Sequence, residues 1–303
     1  MISIRRPIRT VVAATDFSEP AESGLAWAAQ AARNHGARLL VVHAVAPPMP
    51  VADFAAPPLT VDQDLRDAAK ARLEAVVRSD TLAGVEAEAV LRDGTPAQAV
   101  LDVADEAGAD LIVVGTRGLT GFRHLLLGST AERVVQRAKA PVLSVHPSDP
   151  APTGPPRTIL VPTDFSEDAE AALEAAGSCF GLGAEDSRVI LLHVYHVPAE
   201  YRSYGPSSTF VRFTEEVAGS FRSRLEELAA PLRAEGREIE VHVVQGIPPE
   251  VIVREAEERG ADLIAMGTHG RSGVAHLLLG STAERVVQHA KCPVLTVRRE
   301  EEP

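Results

Sequence analysis

Short apolar runs and longer stretches with an apolar residue every third or fourth position alternate along the chain, and the whole alternation occurs twice. In the first half, runs at 8–14, 37–44, 110–115 and 142–145 are too short for ordinary helices. They read as strands, with the largely apolar 37–44 run covered on both faces. Residues 85–91 alternate and read as a further strand. Between these, 17–35, 62–78, 96–108 and 129–138 carry helical spacing. Ser18 is placed to cap the first helix, with Glu19 in its first turn and Gly36 at its end. Leu65, Ala69, Leu73 and Val76 predict the apolar face of the second. The second half predicts strands at 158–163, 188–194, 240–244, 262–267 and 294–297, and helices at 166–180, 209–235, 248–259 and 281–290. Residues 45–60, rich in Pro and Ala and without a clean period, predict a loop or lid. Residues 196–208 take that place in the second half, in a region holding Tyr195, Tyr201 and Tyr204.

Strands separated by helices imply parallel pairing through right-handed crossovers, with helices on both faces of each sheet. The predicted fold class is therefore α/β, built as two tandem Rossmann-like domains. Thr-Asp-Phe-Ser-Glu stands at 15–19 and again at 163–167, and His43 and His193 end matching apolar runs. The offset between halves is 148 at the aspartates, 150 at the histidines and 152 from the later glycines on, so short insertions separate two duplicated domains. Five prolines and a glycine fall within 147–156. They divide the chain into a first domain at 1–148, a linker at 149–156 and a second domain at 157–303.

The chemistry concentrates in one repeated unit. Gly115 and Gly118 are followed after nine residues by Gly128, Ser129 and Thr130; Gly267 and Gly270 are followed after nine by Gly280, Ser281 and Thr282. Each unit lies between an apolar run and a helical pattern, and a strand, a glycine loop and a helix N-terminus together can hold phosphate. The spacing is not a P-loop, since no Gly-Lys-Ser/Thr closes it, nor the tighter dinucleotide fingerprint. Ser129, Thr130, Ser281 and Thr282 can add hydroxyl donors, and 119–127 predict a flap.

Ligands of open α/β sheets bind beyond the carboxyl ends of the strands, where strand order reverses. That rule gathers Thr15, Asp16 and His43 near the Gly115 loop, and Thr163, Asp164 and His193 near the Gly267 loop. Asp16 and Asp164 can accept hydrogen bonds from adenine or ribose, help hold a cation, or cap a helix. His43 and His193 can pack against a base or serve as satisfied strand-end residues. Arg117 can reach phosphate as a fixed cation, whereas His269 in the matching position is mostly neutral near pH 7.

A formal charge of -12 argues against a general nucleic-acid or anionic-membrane surface. It leaves an anionic ligand open, because backbone N–H groups hold phosphate locally. Two cysteines, Cys179 and Cys292, give neither a disulfide framework nor a redox pair. No run approaches a bilayer span, and the absence of a secretory pattern sets the expectation of a cytoplasmic protein. No transition-metal spacing and no Ser–His–Asp arrangement is assignable.

With those motifs in view, the chain resembles a tandem member of the universal stress protein family over about 5–148 and 156–299. The family's Gly, two residues, Gly, nine residues, Gly, Ser/Thr pattern is met in full in both halves. The resemblance implies nucleotide-binding alpha-hydrolase-like domains, each a five-stranded parallel sheet of order 3-2-1-4-5. It implies ATP as ligand, with Mg2+ as a candidate companion. Asp16 and Asp164 fall on the adenine side, backbone contacts to the base come from 42–44 and 192–194, and Thr130 and Thr282 sit by the phosphates. Pairing through the fifth strands, within one chain or in a homodimer, is also implied. Three functions stay open: a nucleotide-responsive stress regulator, a slow ATP hydrolase or adenylyl-transfer enzyme, and an interaction scaffold with vestigial sites. The connectors after strand two differ between halves, so the two affinities need not match.

Overall fold

The computed structural model describes residues 8–46, 63–116, 127–180, 187–197, 208–268 and 279–299. The chain forms two compact units that meet in sequence at Pro155 and Pro156. In the first, β1 (Thr10–Ala14), β2 (Arg38–Val45), β3 (Ala87–Asp93), β4 (Leu111–Gly115) and β5 (Val142–Val145) alternate with α1 (Glu19–His35), α2 (Gln63–Val77), α3 (Pro96–Ala107) and α4 (Ser129–Arg137). In the second, β6 (Thr158–Pro162), β7 (Arg188–Tyr195), β8 (Glu238–Gln245), β9 (Leu263–Gly267) and β10 (Val294–Val297) alternate with α5 (Glu167–Phe180), α6 (Ser208–Ala234), α7 (Pro248–Glu258) and α8 (Ser281–His289).

Each unit is a parallel sheet with helices on both faces. The strand order is β3-β2-β1-β4-β5 in the first and β8-β7-β6-β9-β10 in the second. The first strand sits centrally, paired on one side with the second and on the other with the fourth: Val11 faces Leu39 and Leu111, and Ile159 faces Val189 and Leu263. Burial on both faces explains the uninterrupted apolar runs, since Val11, Val12, Ile159 and Leu160 are fully enclosed. Strand order reverses between β1 and β4, and between β6 and β9. The crevice at their carboxyl ends is thereby fixed by topology.

A repeated carboxylate pins the opposite end of the central strand. Asp110 Oδ2 accepts the Arg9 and Thr10 N–H groups at 2.8 and 3.0 Å, and Asp262 Oδ2 accepts those of Arg157 and Thr158, both at 2.9 Å. Each bond ties the start of the first strand to the start of the fourth, setting their stagger.

Several elements depart from the sequence pattern. Strand β3 begins and ends two residues later than its alternation suggests, and β8 is longer at its N-terminal end by two. Leu65 is 50% exposed, so the buried stripe of α2 narrows to Ala69 and Leu73. Ser18 does occupy the N-cap of α1, but its hydroxyl donates to Asp16 Oδ1 instead of capping the helix. Its counterpart Ser166 does cap, accepting the Ala169 N–H at 3.3 Å.

Glu255 on α7 is the most deeply buried carboxylate among the described residues of the second unit, at 5% exposure. Burial alone would raise its pKa. The bonds from Arg259 (2.9 Å) and Arg254 (3.1 Å) outweigh that and hold it below the ordinary 4.5. A depressed folded-state pKa means that the unfolded chain takes up the proton first. The stabilisation is therefore present above about pH 4.5 and is lost as pH falls through the folded value. Urea midpoints measured from pH 7 to 3 should fall less steeply for Glu255→Gln than for the parent chain.

Candidate functional site

At the carboxyl ends of β1 and β6 the chain makes the same unusual turn. Thr15 N–H continues the ladder to the Val42 carbonyl at 2.9 Å, and Thr163 N–H does so to Leu192 at 2.8 Å. The next residue but one is then bent into the left-handed region: Phe17 and Phe165 both have φ of 64°. An aromatic residue there costs about 1–3 kcal/mol and needs surrounding structure to hold it. The neighbouring side chains supply part of that hold. Thr15 Oγ1 accepts Phe17 N–H at 3.1 Å, Thr163 Oγ1 accepts Phe165 N–H at 2.9 Å, and Asp16 Oδ1 and Asp164 Oδ1 accept the Ser18 and Ser166 N–H groups at 3.0 Å. Both aspartates therefore have one oxygen committed to the turn.

The histidines belong to the same construction. His43 Nδ1 lies 2.8 Å from the Thr15 carbonyl, and His193 Nδ1 lies 2.8 Å from that of Thr163. A carbonyl only accepts, so Nδ1 carries the proton in each ring. His43 packs on Phe17 with centroids 4.2 Å apart, and His193 packs on Phe165 at 4.7 Å. The second unit adds Phe221 from α6, 4.1 Å from His193. That position is Ala69 in the first unit, counting at the offset of 152. His193 is buried, whereas His43 is partly exposed.

The fourth strand meets the glycine unit. A Cβ built on Gly115 would lie 2.9 Å from the Pro20 carbonyl oxygen; one on Gly267 would lie 2.7 Å from Asp168 Cβ and 2.9 Å from its carbonyl carbon. The first glycine of each unit is thus required by the first turn of α1 or α5 crossing the strand end. The following threonine then ties helix to sheet. Thr116 N–H donates to Val145 O and its carbonyl accepts Gly128 N–H; Thr268 does the same with Val297 and Gly280 (2.8–2.9 Å). These bonds hold the N-termini of α4 and α8 beside the turn carrying the aspartate. No side chain caps either helix at Gly128 or Gly280. The first-turn N–H groups lack partners within the helix by geometry and form the positive end of its dipole.

In the second unit these parts enclose a cavity of about 400 Å3. Asp164, Gly267, Thr268, Gly280, Ser281 and Thr282 supply its polar edge, and Leu192, Val194, Ile252 and Met266 supply apolar wall. Asp164 is the one ionisable side chain among the described lining residues. Thr163 also lines the cavity. His193 does not: its strand neighbours 192 and 194 point that way, and the pleat sends 193 to the other face. In the first unit, Thr15 and Asp16 follow β1, Gly115 ends β4, and Gly128, Ser129 and Thr130 open α4, in the matching places. Arg117, Gly118, His269 and Gly270, the flap at 119–126, and 47–60 and 198–207 lie outside the described residues, while Leu127 at the end of the flap is buried. A larger depression of about 700 Å3 sits along β3 instead. Its Arg66 and Arg92 are already paired with Asp93 and Glu106, and it contains no glycine unit.

The sequence pattern did not single out Phe17, Phe165, Thr116, Thr268 or Ile252. Phe and Thr were legible only as repeats, in Thr-Asp-Phe-Ser-Glu and in Gly-Thr, and Ile252 reads simply as helix core. Among the described residues no group of three or more His, Cys, Asp and Glu could hold a metal ion. No helix among them is long and apolar enough to cross a membrane.

Comparison with known proteins settles the family. The model of the Universal stress protein family matches residues 7–146 and again 156–298. The chain belongs to the universal stress protein family. A universal stress protein of Mycolicibacterium smegmatis is 28% identical over 296 residues, covering 95% of this chain and 96% of the relative. A universal stress protein of Methanocaldococcus jannaschii is 35% identical over 157 residues, 47% of this chain and 95% of its own. The crystal structure of a universal stress protein from Archaeoglobus fulgidus superposes with a TM-score of 0.67 at 25% identity, covering 97% of each chain. This universal stress protein is therefore a tandem member, with two matches to the family model and a length shared with the first and third relatives.

Proposed function

We propose that both units bind an adenine nucleotide, ATP foremost, and that the protein is a nucleotide-responsive stress regulator in the cytoplasm. The observation that carries this reading is the second unit's cavity, lined at once by a helix N-terminus without a side-chain cap, by an aspartate and by apolar side chains. The backbone N–H groups of Ser281, Thr282 and Ala283, with the two hydroxyls, suit a phosphate tail. The apolar wall at Leu192, Val194 and Ile252 suits a base, and Asp164 suits a ribose or base donor. Membership of the family supports the reading in both units. Mg2+ would ride on the phosphates and waters, which supply most of its ligands in such sites.

The reading is one of binding. Asp164 is the only described acid or base lining the cavity, and its Oδ1 already accepts a backbone N–H. Native mass spectrometry of the purified chain, followed by an ATP titration, tests it. The expected result is nucleotide retained or taken up at two sites per chain. A chain that stays free of nucleotide throughout the titration would refute it and favour the interaction scaffold.

A further inference from the structure

Two arginines recur where nothing in the phosphate pattern requires them. Arg72 on α2 lies with Cζ 4.5 Å over the Phe17 ring, and Arg224 on α6 lies 4.3 Å over the Phe165 ring. Arg72 Nη2 also donates to the Phe17 carbonyl at 3.3 Å. The helices carrying them follow connectors of different sequence and have diverged themselves. Over 63–77 and its counterpart at an offset of 152, identity is confined to Arg-Leu-Glu, at 72–74 and 224–226. The leucine is explained by the core, since Leu73 and Leu225 are almost fully buried. The glutamates form local ion pairs, Glu74 with Arg78 just past the end of α2 and Glu226 with Arg233 on α6. The arginines are solvent-exposed residues whose guanidinium groups rest over a strained phenylalanine, and that contact is what the repeat has kept.

From this geometry we propose that Arg72 and Arg224 are positioning residues of the two nucleotide sites, acting through Asp16 and Asp164. The inference rests on the nucleotide reading above. The phenylalanine is held at positive φ between the aspartate and the serine whose N–H the aspartate Oδ1 accepts. Whatever fixes the phenylalanine fixes the direction in which that carboxylate is presented. The local Thr and Asp bonds hold the turn from its own side, and the histidine ring supports the phenylalanine from the sheet. The arginine adds a hold from the helix, by stacking of a planar cation on the ring and, in the first unit, by the bond to the carbonyl. The same contact links α2 and α6 to occupancy of the site, since a ligand that engages the aspartate bears on the turn and through it on the arginine.

The test is a double-mutant cycle in the full chain, read by calorimetry with ATP and with adenosine. Arg224→Ala should weaken binding at the second site by about fivefold, the effect of an exposed cation–π contact together with the turn it supports. The loss should be similar for adenosine, which lacks the phosphates. In an Asp164→Ala background the same substitution should cause little further loss, because a residue acting through the aspartate has nothing left to position. Arg224→Lys should restore only part of the affinity, since an ammonium lacks the planar stacking face. The Arg72 and Asp16 pair should behave likewise at the first site. Losses that add in the double variant, or a lowered melting temperature with unchanged affinity, would overturn the inference while leaving nucleotide binding intact. A parent chain that binds neither ATP nor adenosine would overturn the functional reading and this inference with it.

Discussion

Gly267→Val is expected to destabilise the second unit by about 3 kcal/mol, near the top of the range for forcing atoms into a packed site. The reason is local. A Cβ there falls 2.7 Å from Asp168 Cβ and 2.9 Å from its carbonyl carbon, and main chain cannot move aside as the end of a flexible side chain can. Relief would require α5 to lift from β9, against which it packs, or β9 to leave its pairing with β6 and β10. Urea unfolding followed by circular dichroism should show the second unit's transition displaced to lower denaturant. An alternative reading assigns this glycine to phosphate approach alone. On that reading the variant keeps its stability and loses only nucleotide. Gly115→Val should fall in the same direction by the same mechanism, since its Cβ meets the Pro20 carbonyl.

Thr282→Glu should divide stability from binding in the opposite sense. Thr282 is in the first turn of α8, and a carboxylate there complements the helix dipole by about 0.3–1 kcal/mol. The melting temperature should therefore hold or rise slightly. The same carboxylate enters the edge of the cavity where the phosphate tail is proposed to lie. Two like charges about 4 Å apart repel by roughly 4 kcal/mol near a protein surface, enough for a loss of a hundredfold or more in ATP affinity. Calorimetry should report two sites per chain for the parent and one for the variant, with the first unit's site unchanged. Adenosine, which carries no phosphate, should bind the variant nearly as well as the parent.

These two substitutions bear on how much the sequence could reveal. The fold was legible because parallel strands buried on both faces leave continuous apolar runs, and because every such run was present twice. The placement of Asp16 and Asp164 at the carboxyl end of the central strand followed from topology alone. What was hidden depends on contacts between distant segments. Nothing in the spacing of the glycine unit shows that Gly115 and Gly267 yield to a helix turn rather than to a ligand. That demand comes from Pro20 and Asp168, about a hundred residues upstream in each case. The Asp-Phe-Ser stretch reads as the approach to a capped helix. The left-handed phenylalanine shows only once the carboxylate and the threonine hydroxyl are seen bonding past it. Leu65 was expected inside because it fits the helical period, yet the buried residues of α2 are Ala69 and Leu73, one and two turns further along, and Leu65 is half exposed. The histidines were ambiguous between base and backbone. The structure gives each Nδ1 a backbone carbonyl at 2.8 Å, and in the second unit 192 and 194 line the cavity while 193 alternates to the other face of the strand.

The central claim is that exposed main-chain N–H groups at the start of α4 and α8 hold the charged tail of a nucleotide. The backbone amide resonances of Ser129, Thr130, Ser281 and Thr282, followed in a selectively labelled chain during an ATP titration, test it most directly. Saturable downfield shifts at all four, absent when adenosine replaces ATP, are predicted. ATP binding that saturates while these amides stay where they were would contradict the claim.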